Sequence, residues 1–270
     1  MAQLVFASVA GAGALVALVV AYRRQRVAET SSAHERTRVL NERFTTIAAQ
    51  LGDDQAAVRL AGVHAMAGLA DDWDENRQTC VDVLCAYLRM PYDPDPGDEA
   101  PAGERLSFRS RREVRHTVIR VITARLQRDA AVSWQGLSFD FTGVVFDGGN
   151  FSRAVFSGGE VDFRDAAFSV GEVSFVGAVF SGGTVNFRGA EFSGGTVDFD
   201  STEFSGGEVD FRSAEFSGGE VSFVGAGFFG GTVQFGGAVF SSGTVDFGGA
   251  GFSGGRSGRD AARGGRTHPG

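Results

Sequence analysis

The sequence contains no lysine: all 25 basic residues are arginine. It has two cysteines, two tryptophans, three tyrosines and five prolines in 270 residues. Without lysine no phosphate-binding loop of the P-loop kind can be completed. Cys80 and Cys85, five apart on an expected helix, point about 140° away from each other, which suits neither a disulfide nor a shared metal. They are read as small buried hydrophobes. Four of the five prolines fall between Pro91 and Pro101 and mark a linker. From residue 137 to 255 there is no His and no Cys, and the carboxylates recur at repeated positions instead of forming the single unrepeated constellation that catalysis needs.

What is abundant is glycine, 40 residues, and phenylalanine, 25 residues. Glycine without proline excludes collagen and proline-rich linkers. The net charge is −8, unevenly spread. Residues 137–255 hold 15 acids and four Arg, net −11, which leaves the remainder at +3. This balance argues against direct nucleic-acid binding, although an acidic surface attracts proteins that themselves bind DNA.

Leu4 to Tyr22 is a 19-residue run without charge, followed by Arg23, Arg24 and Arg26. The length matches a hydrocarbon core of about 30 Å. Residues 1–26 are therefore expected to be a single-pass transmembrane anchor, and the arginine flank predicts that the bulk of the chain is cytoplasmic. Ala7 and Gly11, and Gly13 and Ala17, stand four apart and leave the segment open to helix pairing and homo-oligomerisation.

Residues 27–90 read as a helical region of three helices. The first opens on a Ser32/Glu35 capping box and stops at Gly52. The second is capped by Asp53 or Asp54, and the third runs from about Glu75 to Arg89. Residues 91–108 read as the linker, and 109–130 as a helix leading into the repeats. His34, His64 and His116 lack the spacing of a metal site. The stretch RFTTIAAQLGDDQAAVRLAGVHAMAGLADD resembles a helical segment that precedes repeats in actinobacterial membrane proteins, which implies a partner domain without catalytic activity.

From residue 141 the phenylalanines fall five apart, then alternate spacings of seven and five to Phe252. One seven and one five make the period, V-x-F-x-x-A-x-F-S-G-G-x. Val161, Phe163, Ala166 and Phe168 share one side of an extended chain and are expected inside. Phe163, Phe168, Phe175, Phe180, Phe187, Phe192, Phe199, Phe204, Phe211 and Phe216 form the expected core ladder. The residue between each apolar pair is expected outside; Asp162, Glu191, Asp198, Glu203, Asp210 and Glu215 compose a candidate acidic binding face. The turn is Ser-Gly-Gly followed by Glu or Thr, without the Asp that a calcium-binding solenoid needs.

Units such as Ala190-Glu191-Phe192-Ser193-Gly194 and Val209-Asp210-Phe211-Arg212-Ser213 resemble the pentapeptide-repeat family. Twenty units follow from Phe139, and from Gly159 a two-residue insertion such as Gly195-Thr196 departs from the pattern after every second unit. The resemblance implies an α+β chain ending in a right-handed quadrilateral β-helix over 137–255, with four units, and thus two periods, per coil. Five coils at about 4.8 Å give a rod near 24 Å long. A flat solenoid with a single period per coil is the rival geometry. Residues 256–270 have no apolar face and are expected to be a disordered tail, which leaves the last coil without an obvious cap.

No catalytic residue, cofactor or metal is expected, and no enzymatic activity. The expected function is non-catalytic protein binding or scaffolding at the cytoplasmic membrane face, with the partner unidentified. The resemblance carries a second reading, since some members of the family mimic DNA and bind DNA gyrase. A third reading, a channel accessory, ranks below both because a lone helix without charge forms no pore.

Overall fold

The computed structural model describes residues 34–93 and 95–253. The expected anchor Leu4–Tyr22, the cap Ser32 and the tail 256–270 lie outside the described residues. Among the described residues, no helix is long and apolar enough to cross a membrane. The chain divides into two compact units, Met1–Thr46 and Ile47–Gly270. In the first, Arg38 pairs with Glu35 and Glu42 one turn to either side on a helical, solvent-facing segment.

Four helices precede the strands: α1 over 34–51, α2 Ala56–Asp72, α3 Arg77–Arg89 and α4 Ala102–Leu126. A single 3₁₀ turn, Asp74–Asn76, leads into α3, so the helix proper starts just after the expected Glu75. Helix α2 is not capped as expected. Its N-cap is Gln55, and Asp53 instead accepts the Gln55 N–H at 2.7 Å in the turn before it. Helix α4 starts at Ala102, inside the stretch expected as linker, because Pro101, with φ −55° and ψ 143°, takes the N-cap position and needs no N–H there. Cys80 and Cys85 are free and buried in α3, where burial pushes their thiols up to about 11 and about 12.

Residues 139–253 form four five-stranded parallel sheets, the four faces of one solenoid. Face one holds Phe139–Asp140, Glu160–Asp162, Thr184–Asn186, Glu208–Asp210 and Thr232–Gln234. Face two holds Val145–Phe146, Ala167–Phe168, Glu191–Phe192, Glu215–Phe216 and Val239–Phe240. Face three holds Gly149–Asn150, Glu172–Ser174, Thr196–Asp198, Glu220–Ser222 and Thr244–Asp246. Face four holds Val155–Ser157, Val179–Ser181, Glu203–Ser205, Gly227–Phe229 and Gly251–Ser253. Val161 pairs with Val185, and Val185 with Val209. Val173, one period after Val161, belongs to face three instead. Each coil therefore takes up two periods and is square, and the flat single-period form is excluded.

The corners explain the alternation of sevens and fives. The turns from face one to two and from three to four are tight. In each, the N–H of the fourth residue closes on the Phe carbonyl, as Ala166 does on Phe163 at 3.2 Å and Ala214 on Phe211 at 3.1 Å. The third residue is left-handed, the mark of a type II turn. The two-residue insertions fall at the other two corners, which lie opposite each other. There a glycine sits where the coil below leaves no room: a Cβ at Gly183 or Gly207 would collide with the carbonyl oxygen of Gly159 or Gly183.

Inside, four columns of phenylalanine rings run the length of the solenoid. From the Phe163 ring onward, neighbours in a column lie 4.7–5.2 Å apart and within 1–6° of parallel. Rings on different columns meet edge to face, as Phe187 and Phe199 do at 5.7 Å. All ten core-ladder residues expected from the sequence are buried.

The first coil is sealed by the helices. Helix α3 packs on Phe139–Asp140 and α4 on Gly149–Asn150. Arg115 reaches from α4 to the Val145 carbonyl at 2.7 Å, and Thr123 to the Asn150 carbonyl at 2.9 Å. Asp71 accepts from Arg125 at 2.7 Å and from the Trp134 indole at 2.9 Å, holding α2, α4 and the lead-in to the first coil together.

Candidate interaction surfaces of the solenoid

The six acidic residues expected to make one face do not share a face. Asp162 and Asp210 stand on face one, Glu191 and Glu215 on face two, Asp198 on face three and Glu203 on face four. With two periods in every coil, successive copies of the motif go to opposite sides. The expected outward position also needs correction in two cases. Glu191, Glu203 and Glu215 are exposed, and Asp198 is half-buried, whereas Asp162 and Asp210 are buried.

The burial of those two has a local cause. Each begins a tight corner, and its carboxylate turns back to accept the N–H of the next residue but one. Asp162 takes the Arg164 N–H at 2.9 Å, and Asp210 takes that of Arg212 at 2.8 Å. The guanidinium of the same arginine then folds over the carboxylate, Arg164 Nε at 2.7 Å and Arg212 Nη2 at 2.6 Å. Burial alone would raise the Asp210 carboxyl. The hydrogen bonds from Arg212 outweigh it and hold the group below the usual carboxylate range. These aspartates are corner caps.

The arginines that cover them sort by the true repeat, the whole coil. Arg164, Arg188 and Arg212 recur once per coil at the edge of face one. The equivalent positions beside face three are Val176, Asp200 and Val224. The strands of face three and the position after each Phe at its edge therefore carry Glu172, Asp198, Asp200, Glu220 and Asp246 with no arginine; Arg153 stands one residue further on, in the corner of the first coil. Glu172, Glu220 and Asp246 are exposed. Asp198 accepts the Asp200 N–H at 2.8 Å, but among the described residues no cation pairs with it. Burial first, then repulsion from Asp200 and Glu172, raise its carboxyl above the usual range. The single-period reading left out Glu172, Asp200, Glu220 and Asp246. The signal that finds the column was available: arginine at every second period.

A second cluster joins the helices to the first coil. Asp147, buried after the Phe146 strand, accepts from the Tyr92 hydroxyl at 2.6 Å, from Arg112 Nε at 3.0 Å and from His116 Nε2 at 3.0 Å. The Arg115 guanidinium lies 4.2 Å above the Tyr92 ring. Burial favours the neutral acid, and the hydrogen bonds from His116 and Tyr92 reverse that, so Asp147 lies below the usual range. Together these bonds tie the chain after α3 and helix α4 to the first coil. His34 and His64 are exposed on α1 and α2. Among the described residues, no three His, Cys, Asp or Glu side chains are grouped to hold a metal ion.

Residues 141–185 match the family model described as pentapeptide repeats (9 copies). No curated protein and no solved structure matches the chain.

Proposed function

From the premise that the C-terminal part of this chain is a pentapeptide-repeat β-solenoid, we propose that the protein is a non-catalytic, membrane-anchored scaffold that binds another protein through face three. The observation that carries the reading is the column Glu172, Asp198, Asp200, Glu220 and Asp246, set on a flat sheet with no arginine to neutralise it. Glu172 and Glu220 stand two coils apart, and so do Asp198 and Asp246, a spacing of about 9.6 Å on a rigid sheet. Such a surface suits a partner with an Arg- or Lys-lined face, steered by charge and fixed in register by the spacing. The anchor is the Leu4–Tyr22 run with its arginine flank, which sets the solenoid at the cytoplasmic membrane surface.

The test is partner capture by in-cell photo-crosslinking of the full chain, followed by mass spectrometry. Neutralising face three (Glu172→Gln, Asp198→Asn, Glu220→Gln, Asp246→Asn) is expected to abolish a capture that neutralising face one (Glu160→Gln, Glu208→Gln) leaves intact. The same partners in both variants, and in a chain lacking residues 137–255, would move the function to the helical region. Resistance of the full chain to alkaline carbonate extraction, lost when residues 1–26 are removed, tests the anchor separately.

The same uncovered carboxylate column favours a second reading, mimicry of the DNA backbone toward DNA gyrase. A supercoiling assay decides it: no inhibition at micromolar protein removes the reading.

A further inference from the structure

The charge of the solenoid is gathered on one side. From Glu160 to Ser253 it carries thirteen acids and three arginines. Arg164, Arg188 and Arg212 all follow face one, where Arg164 covers Asp162 and Arg212 covers Asp210. Five of the thirteen acids belong to face three and its edge, and none of the three arginines does.

The carboxylates of face three are also ordered along it. Strand pairing sets Glu172 in line with Thr196, Glu220 and Thr244, and Ser174 in line with Asp198, Ser222 and Asp246. One strand carboxylate therefore falls in each of these coils and changes column from coil to coil, so no two stack directly at about 4.8 Å, where they would repel most. The four span three coil steps, about 14 Å. Apolar side chains border the same face: Val170, on the corner before it, is 53% exposed, and Val224, on the corner after it, is 38% exposed.

The complement stands in the sequence after the last strand. Residues 254–270 hold Arg256, Arg259, Arg263 and Arg266 against Asp260 alone, a net charge of +3 with His268 neutral. They contain no Val, Leu, Ile, Met, Phe, Tyr or Trp, so charge is their strongest means of contact. The chain leaves the solenoid from Gly251–Ser253 on face four. One tight corner, closed by the Ala250 N–H on the Phe247 carbonyl at 3.0 Å, separates that strand from Thr244–Asp246 on face three. From Ser253 to Arg266 the chain can reach about 43 Å when extended, three times the length of the carboxylate column. Face one, the other neighbour of face four, presents its row of arginines and repels the segment.

We propose that residues 254–270 fold back onto face three of their own chain and occupy it by arginine–carboxylate pairing. The proposal rests on the reading of face three as a charge-complementary binding surface and adds its regulation, since a partner with a basic face has to displace the tail. The tether gives the tail a local concentration in the millimolar range, and the pairing weakens as salt rises.

The test is a distance measurement between nitroxide labels in the full chain, solubilised in a non-ionic detergent at low salt. Cys80 and Cys85 are buried, so labels go to introduced cysteines. Ala262→Cys carries one label. The second stands at Thr196→Cys on face three or at Thr184→Cys on face one, the opposite side of the same coil. The docked tail lies nearer the Thr196→Cys label by at least about 10 Å, the separation of opposite sheets. The difference disappears when Arg256, Arg259, Arg263 and Arg266 are all changed to Gln, and in about 1 M salt. It persists when Glu160→Gln and Glu208→Gln neutralise face one. Equal distances in the unmodified chain overturn the proposal, as does a tail nearer the Thr184→Cys label. A short distance that survives the four arginine changes overturns it too, and so does one seen between singly labelled chains mixed together. No partner enters this measurement, so an undocked tail leaves the partner reading standing, and a failed partner capture leaves the docked tail standing.

Discussion

Tyr92 donates its hydroxyl to Asp147 across 2.6 Å, and this bond ties the chain after α3 to the first coil. Asp147 lies below the usual carboxylate range, because the hydrogen bonds from His116 and Tyr92 overcome its burial. A depressed carboxyl contributes stability that is complete above the unfolded value of about 3.9 and is lost as pH falls through the folded value. Asp147→Ala leaves the Tyr92 hydroxyl and His116 without their acceptor and is expected to cost about 2–4 kcal/mol at pH 7. Tyr92→Phe costs about 1 kcal/mol. Urea melts at pH 7 and pH 3 check both: the Asp147→Ala deficit shrinks at pH 3, and a deficit equal at both pH values contradicts the ionic account.

Asp198 is shifted the other way, raised first by burial and then by the charges of Asp200 and Glu172. Its contribution is present below the unfolded value and is lost as pH rises through the raised folded value. Asp200→Asn removes a repelling charge while its side-chain oxygen still accepts the Val224 N–H, now held at 2.9 Å. The variant is expected to be more stable at pH 7 by roughly 0.5 kcal/mol, a gain limited by solvent screening at this half-exposed edge. The gain vanishes near pH 3. A loss of stability at pH 7 would mean that the hydrogen bonds to Asp200 outweigh the repulsion.

The position of a phenylalanine in its column sets its worth. Phe187 is fully buried, with rings 4.7 Å away on both sides, Phe163 and Phe211. Phe187→Ala is expected to cost about 3–5 kcal/mol. Phe252 has one stacking neighbour, Phe228, and is mostly exposed; Phe252→Ala is expected to cost less than about 1 kcal/mol in the isolated chain. Hydrogen exchange separates the two effects along the rod. Protection collapses in the coils flanking Phe187 for the first variant, and changes only in the last coil for the second.

The stacked core was legible because Phe163, Phe187 and Phe211, and the phenylalanines between them, recur at fixed spacings, and all of them are buried. The square coil was legible from the five-residue spacing, which suits a right-angle corner. The arginine-free acidic column was not, because Asp162 and Asp198 look identical when single periods are aligned. What tells them apart is the next residue but one, Arg164 in one case and Asp200 in the other. The start of α4 was missed for a similar reason. Pro101 reads as linker punctuation, yet it also serves as a helix N-cap, where its missing N–H costs nothing. The Asp147 fastening joins residues 92, 112, 116 and 147, and no local pattern brings those positions together.

The tight corners carry a strain that sequence choice can relieve. Arg153, Asp165, Ser201 and Ser213 adopt φ of 54–59°, where Gly177, Gly189 and Gly225 hold the same turn position without a Cβ. A left-handed non-glycine residue costs about 1 kcal/mol against glycine. Ser201 is exposed, so little packing is lost on substitution. Ser201→Gly is therefore expected to raise stability by up to about 1 kcal/mol, less the entropy that glycine adds to the unfolded chain. Gly207→Ala is the opposite case, because its Cβ meets the Gly183 carbonyl of the coil below at a φ of 83°. It is expected to cost more than about 2 kcal/mol. Thermal melts of the two variants side by side check the pair. A destabilised Ser201→Gly, or a tolerated Gly207→Ala, would mean that the corners flex enough to absorb a side chain and that stacking alone sets the coil.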